Sequence, residues 1–177
     1  RPPGYADFEI NTVKELLLLL MKPESVLDVG CAFGFAVMRL NALGIPAKGL
    51  DISQYAINHA PEEAKQYLVR GEAWRMPFGD KEFDVLFSSG MLEHVPRDRL
   101  LQTTVEFQRV SKRGLIGVAC LDDDSTRQGA DDTHETLLKR EDWQAMFPVK
   151  DYVVLSDSTK AWRLAATINL WRAVWQQ

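Results

Sequence analysis

The chain is short of cysteine, of long apolar runs and of positive charge. Cys31 and Cys120 are its only thiols in 177 residues. Two are too few for a disulfide framework, and no Cys-x-x-Cys pair or Cys/His cluster has the spacing of a zinc site, so no metal is expected. Reduced thiols point to a cytoplasmic protein. The longest apolar run, Leu16 to Met21, falls far short of the ~20 residues that span a bilayer, and no membrane partner is expected. No basic-then-apolar leader is visible at the start, Arg1-Pro2-Pro3. The net charge of −4 leaves no broad basic face for phosphate backbones and argues against nucleic acid as a partner. Internal repeats, low-complexity tracts and linkers are absent too, so residues 1–177 read as a single domain.

What is present is an alternation of short strands and helices. Phe8 to Met21 has helical spacing and stops at Pro23. Ser25–Val29 is a short apolar strand, followed by a helix over Phe35–Ala42. A second strand, Ala47–Leu50, ends at Asp51, and Ser53 caps a helix over Gln54–Ala60. Gln66–Val69 and Phe83–Phe87 are the third and fourth strands, Asp98–Val110 is a helix and Leu115–Cys120 a fifth strand. Asp122–Thr133 is an acidic loop, Arg140–Phe147 a short helix, and Tyr152–Leu155 and Arg163–Leu170 the last two strands. Strands alternating with helices of this length require crossover connections, hence a parallel sheet with helices on both faces. Ligands on such sheets bind beyond the carboxyl ends of the strands.

The stretch that leaves the first strand reads Asp28-Val29-Gly30-Cys31-Ala32-Phe33-Gly34. Glycine lets a ligand touch the main chain, and the helix amino terminus adds unpaired N–H groups. A dinucleotide turn, Gly-x-Gly-x-x-Gly, fits poorly, because Ala32 and Phe35 stand where glycines belong. An acid followed by Gly-x-Gly-x-Gly fits with one change, alanine for the middle glycine. This stretch resembles the first motif of the class I S-adenosylmethionine-dependent methyltransferases. "GLDIS" at 49–53, "GEAWRMPF" at 71–78 and "FDVLFSSGMLEHVP" at 83–96 are similar to the later motifs, in the same order.

The resemblance implies a Rossmann-like α/β three-layer sandwich, with a mostly parallel seven-stranded sheet and an antiparallel last strand. It implies S-adenosylmethionine as cofactor. Asp51 would grip the ribose hydroxyls, which suits a carboxylate that accepts from two neighbouring hydroxyls. Ile52 stands beside it. Glu72 would meet the adenine amino group, the backbone of Ala73 would read the ring, and Trp74 would line its pocket. Gly30, Cys31, Ala32 and Gly34 form the cofactor turn. Asp28 either braces that turn or contacts the methionine amine, and Ser88 lies at the end of the fourth strand. Tyr5 belongs to a segment that folds over the cofactor in relatives.

Methyl transfer from a sulfonium requires alignment, and a hydroxyl or ammonium acceptor also requires a base. His94 follows the fourth strand, beside the place where the methyl group is presented in the family, and titrates near neutrality. His134 precedes a tryptophan-bearing helix, in a stretch that resembles the acceptor side of methyltransferases found with bacterial glycan-building enzymes. There Asp132, His134 and Trp143 would face the acceptor. His59 reads as a capping or surface residue. The acceptor is expected to be a small molecule or a glycan. The chain lacks the Asn/Asp-Pro-Pro-aromatic run of amino-directed DNA methyltransferases and the Pro-Cys pair of cytosine C5 enzymes. Two readings stay open beside the enzyme: a non-catalytic module that keeps the cofactor pocket, and a nicotinamide oxidoreductase on a similar sheet.

Overall fold

The computed structural model describes residues 18–118, 120, 133–147 and 169–174, with backbone alone for the last stretch. Its strands are β1 (Val26–Val29), β2 (Ala47–Asp51), β3 (Leu68–Arg70), β4 (Phe83–Ser89), β5 (Ser111–Val118) and β6 (Asn169–Val174). The helices are α1 (Phe35–Ala42), α2 (Gln54–Asn58), α3 (Glu62–Lys65), α4 (Leu100–Val110) and α5 (Arg140–Met146). The described residues form one sheet in the order β3-β2-β1-β4-β5-β6. The first five strands run parallel, and β6 pairs with β5 in the antiparallel sense. Six strands are described where seven are expected. Tyr152–Leu155 lies outside the described residues, as do 163–168.

Every residue of β1 is buried, because both faces of this central strand are covered. Side chains alternate between two cores. Leu27 and Val29 join Leu86, Phe107 and Trp143 on one face. Val26 joins Val37, Leu40, Val85 and Phe87 on the other. The helices α4 and α5 thus cover one face and α1 the other, which makes the three layers of a Rossmann-like sandwich. Strand order reverses between β1 and β4, and that reversal opens a crevice beyond their carboxyl ends.

Most boundaries shift by one or two residues, β3 to Leu68–Arg70 and β4 to Phe83–Ser89 among them, the last strand is Asn169–Val174 rather than Arg163–Leu170, and two further differences have a visible cause. Strand β5 starts at Ser111, four residues earlier than its apolar run. The polar residues Lys112 and Arg113 hide this start in the sequence. Ser111 is buried and donates its hydroxyl to Phe107 O at 2.7 Å, while Arg113 donates to Asp84 of β4 at 2.7 and 3.3 Å. The same Asp84 carboxylate accepts from Glu24 N. The Arg113 hydrogen bonds hold the Asp84 carboxyl below its usual range. The second difference is that α2 ends at Asn58, and the chain after Pro61 forms the separate turn α3. Ser53 caps α2 as expected, accepting from Ala56 N at 3.2 Å.

Candidate active site

The turn after β1 holds three residues in the left-handed region: Gly30 at φ +81°, Ala32 at +48° and Gly34 at +71°. The alternation in the sequence therefore has a backbone cause. Every second residue takes a conformation that costs an ordinary L-residue roughly 1–2 kcal/mol. Ala32 occupies the middle place despite its β-carbon. Hydrogen bonds hold the path: Gly30 N and Cys31 N donate to Leu50 O at 2.8 and 3.2 Å, and Gly34 N to Cys31 O at 2.8 Å. Ala32 N donates to Asp51 Oδ2 at 2.8 Å.

The space above Gly30 is filled by the protein itself. A β-carbon there would stand 2.6 Å from Cγ of Met91. Cys31 fills a similar gap over β2, since a β-carbon on Gly49 would meet its sulfur at 2.6 Å. Burial pushes the Cys31 thiol well up, and the nearby Asp28 and Asp51 carboxylates add to this. Cys31 is thus a packing residue and no nucleophile at neutral pH.

Asp51 ends β2 half-buried, and both of its oxygens are engaged with backbone. Oδ2 accepts from Ala32 N, and Oδ1 accepts from Ser53 N at 2.8 Å. Each carboxylate oxygen carries two acceptor positions. One on each oxygen builds the turn, and one on each remains for a ligand.

A cavity of about 280 Å³ opens at the carboxyl ends of the strands, close to the lower end of ordinary ligand pockets. Gly30 of the turn, Asp51, Ile52, Ala73, Trp74 and His94 line it, as the sequence leads one to expect. Met91, Val95, Pro96 and Glu135 line it as well. The first three lie in a quoted motif without bearing an ionisable group, and Glu135 is forty residues away, so the sequence carried no signal for them. The wall that holds Trp74 is fixed by Arg109 of α4. That guanidinium donates to Met76 O, Phe78 O, Asp80 and Glu106, and Glu106 in turn accepts from Met76 N at 2.7 Å.

Six residues expected at the cofactor do not line this cavity. Asp28 and Ser88 are 5% and 0% exposed and lie inside the sheet, behind the cavity wall. Their strands are covered on both faces. The Ser88 hydroxyl has no partner among the described residues. Cys31 packs as described, Ala32 presents its β-carbon to solvent, and Gly34 packs on Leu68. Glu72 does not line the cavity, whereas its neighbours Gly71 and Ala73 do; Glu72 O accepts from Arg75 N in a short bridge. Tyr5 and Asp132 lie outside the described residues.

The two candidate catalytic histidines meet. Their ring centroids are 4.9 Å apart with planes at 61°. His94 sits in the 3₁₀ turn Leu92–His94 directly after β4. His134 arrives from far along the chain, on a segment pinned to that turn. Thr136 N donates to Glu93 O at 2.9 Å and Thr136 Oγ1 to Val95 O at 2.8 Å. His94 Nδ1 lies 3.0 Å from Thr133 O. Thr133 Oγ1 lies 3.1 Å from the same nitrogen and can donate or accept, whereas the carbonyl only accepts; a proton on Nδ1 is the tautomer that suits both contacts, and in that neutral ring Nε2 keeps its lone pair. Trp143 does not face an acceptor: it is 0% exposed, in the core with Phe107 and Phe147. His59 is exposed and stacks on Tyr55.

The profile of the family described as "Methyltransferase domain" matches residues 27–118. That span runs from β1 through β5 and includes the turn, Asp51 and His94. The chain belongs to this family. Its methyltransferases are of class I and use S-adenosylmethionine. An uncharacterised methyltransferase of Synechocystis is 28% identical over 151 residues, 85% of this chain. The chain spans 64% of that relative's length. Among solved structures, a protein of Pyrococcus horikoshii superposes with a TM-score of 0.76 at 20% identity, over 99% of this chain and 93% of its own. Magnesium protoporphyrin IX methyltransferase of Synechocystis, solved with S-adenosylhomocysteine, gives 0.70 at 15% identity, over 95% and 82%. These likenesses show the fold.

Proposed function

We propose that this methyltransferase domain transfers a methyl group to a hydroxyl or amine of a small molecule or glycan. One observation carries the reading. A single cavity joins the turn at Gly30 and the Asp51 carboxylate on one side to His94 on the other. The donor set fits S-adenosylmethionine: Asp51 keeps an acceptor position on each oxygen for the ribose diol, and Ala73 and Trp74 offer an apolar wall to the adenine. When bound, the cofactor supplies a methyl group on a sulfonium whose leaving group is a neutral thioether. The chain's own residues do the rest. The walls exclude water and fix the acceptor in line, which is the larger part of the barrier reduction for such a transfer. His94 and His134 act on the acceptor, and Nε2 of His94 is the lone pair able to draw off its proton. Support for a small-molecule acceptor comes from the solved Synechocystis structure whose name gives magnesium protoporphyrin IX.

Calorimetric titration with S-adenosylmethionine, S-adenosylhomocysteine and NADH in parallel tests the cofactor half. Micromolar binding of the first two without the third is expected; binding of NADH alone would overturn the reading. An acceptor panel then tests transfer. His94→Ala and His134→Ala should lower kcat while the affinity for S-adenosylhomocysteine stays within about threefold.

A further inference from the structure

We propose that Glu93, His94 and His134 form a binding site for one divalent transition-metal ion, of the zinc, manganese or ferrous class. One ligand atom from each of the three lies within 4.8 Å of the other two. Atoms that share a tetrahedral ion at ~2.1 Å stand about 3.4 Å apart, so small side-chain adjustments close the set. Two imidazoles with one carboxylate and no thiolate suit borderline ions rather than soft ones.

Two further observations point the same way. His94 Nδ1 lies 3.0 Å from Thr133 O and 3.1 Å from Thr133 Oγ1; with the proton on Nδ1 this is the outer-shell bond that metal-ligating histidines make, and Nε2 is then the ligand atom. The backbone clip from Thr136 to Glu93 and Val95 also brings His134 to its place before any ion arrives. Glu93 is 3% exposed, so this corner is screened from bulk water on the carboxylate side. His94 opens on the cavity.

Three protein ligands leave a coordination position for water or substrate. A hydroxyl or water held there has its pKa lowered by the ion and releases its proton to solvent. In the metal-bound protein the Nε2 lone pair holds the ion instead of taking that proton. This role toward the acceptor rests on the methyl-transfer reading; the binding of metal does not.

The test uses the full chain without a polyhistidine tag, stripped with chelator and titrated with Co(II). Expected is one ion per chain, with visible d–d absorption, and at least a tenfold loss of affinity in both His94→Ala and His134→Ala. His59→Ala should bind as the parent does. Thermal unfolding confirms that the variants are folded, and Glu93→Gln, which removes the charge of the third ligand without a change of size, should also weaken Co(II) binding. Uptake that is not saturable below millimolar Co(II), or uptake unchanged in both histidine variants, would overturn the site. S-adenosylhomocysteine titrated into the same stripped chain separates the two proposals. Binding there with no Co(II) site overturns the metal alone, and its loss in a chain that still takes Co(II) overturns the cofactor reading alone.

Discussion

Removing the Asp51 side chain separates building the turn from holding the ligand. In Asp51→Ala the acceptors for Ala32 N and Ser53 N disappear, both at 2.8 Å. Ala32 is exposed and Ser53 half-buried, so water can replace the carboxylate at these N–H groups. The loss of stability is therefore on the order of 1 kcal/mol. The ligand loses more. One charge-assisted hydrogen bond to the ribose is worth about 1.5–3 kcal/mol net, which corresponds to roughly 10- to 150-fold in Kd. The assays are calorimetric titration with S-adenosylhomocysteine and thermal unfolding of the ligand-free chain. An unchanged Kd would refute the assignment of the remaining acceptor positions. A collapse of the fold would refute the claim that water can serve the turn.

Other expectations follow from single residues. Ala32→Gly relieves the strain at φ +48° and should stabilise the chain by a few tenths to about 1 kcal/mol, after the greater entropy of unfolded glycine is subtracted; a lower unfolding temperature would contradict this. The Asp84 and Glu106 carboxyls are held below their usual range by hydrogen bonds from Arg113 and Arg109 respectively. Their contribution is complete above the unfolded values near ~4 and fades as pH falls through the folded ones. Urea midpoints should thus hold steady from pH 7 to 5 and drop below ~4, and Asp84→Asn should flatten that acid limb. Trp143→Ala, at a fully buried site, should cost about 3–5 kcal/mol in urea unfolding, whereas a residue open to an acceptor would show its loss chiefly in the KM for that acceptor.

Much of this could be read from the chain because the cofactor side is local in sequence. Gly30, Ala32 and Gly34 follow a strand directly, and their spacing matches the alternation of positive φ. Asp51 ends β2, and Trp74 comes soon after β3. What was hidden depends on three dimensions. Asp28 and Ser88 look available on paper, but their strands are covered on both faces and their side chains point inside. Met91 carries no charge to betray that it fills the space over Gly30. The start of β5 is masked by Lys112 and Arg113, since the ion pair with Asp84 that suits Arg113 to a strand lies twenty-nine residues away. Glu93, His94 and His134 could not be read as one group, because a separation of forty residues has no ligand spacing until Thr133 and Thr136 dock.

That docking has a consequence for how such a chain diversifies. The segment after β5 is fastened at both of its described margins, by the pairing of Cys120 with Leu138 and by Thr136 on Glu93 and Val95. Nearly all of these fastenings use main-chain atoms on at least one side. A replacement at Glu135, which lines the cavity between two of these fastenings, therefore leaves them in place, because neither the Thr136 bonds nor the Thr133 carbonyl contact uses its side chain. Selection can exchange what is recognised at one end of the cavity while the other end stays constant, so one scaffold can serve many acceptors with little penalty in folding.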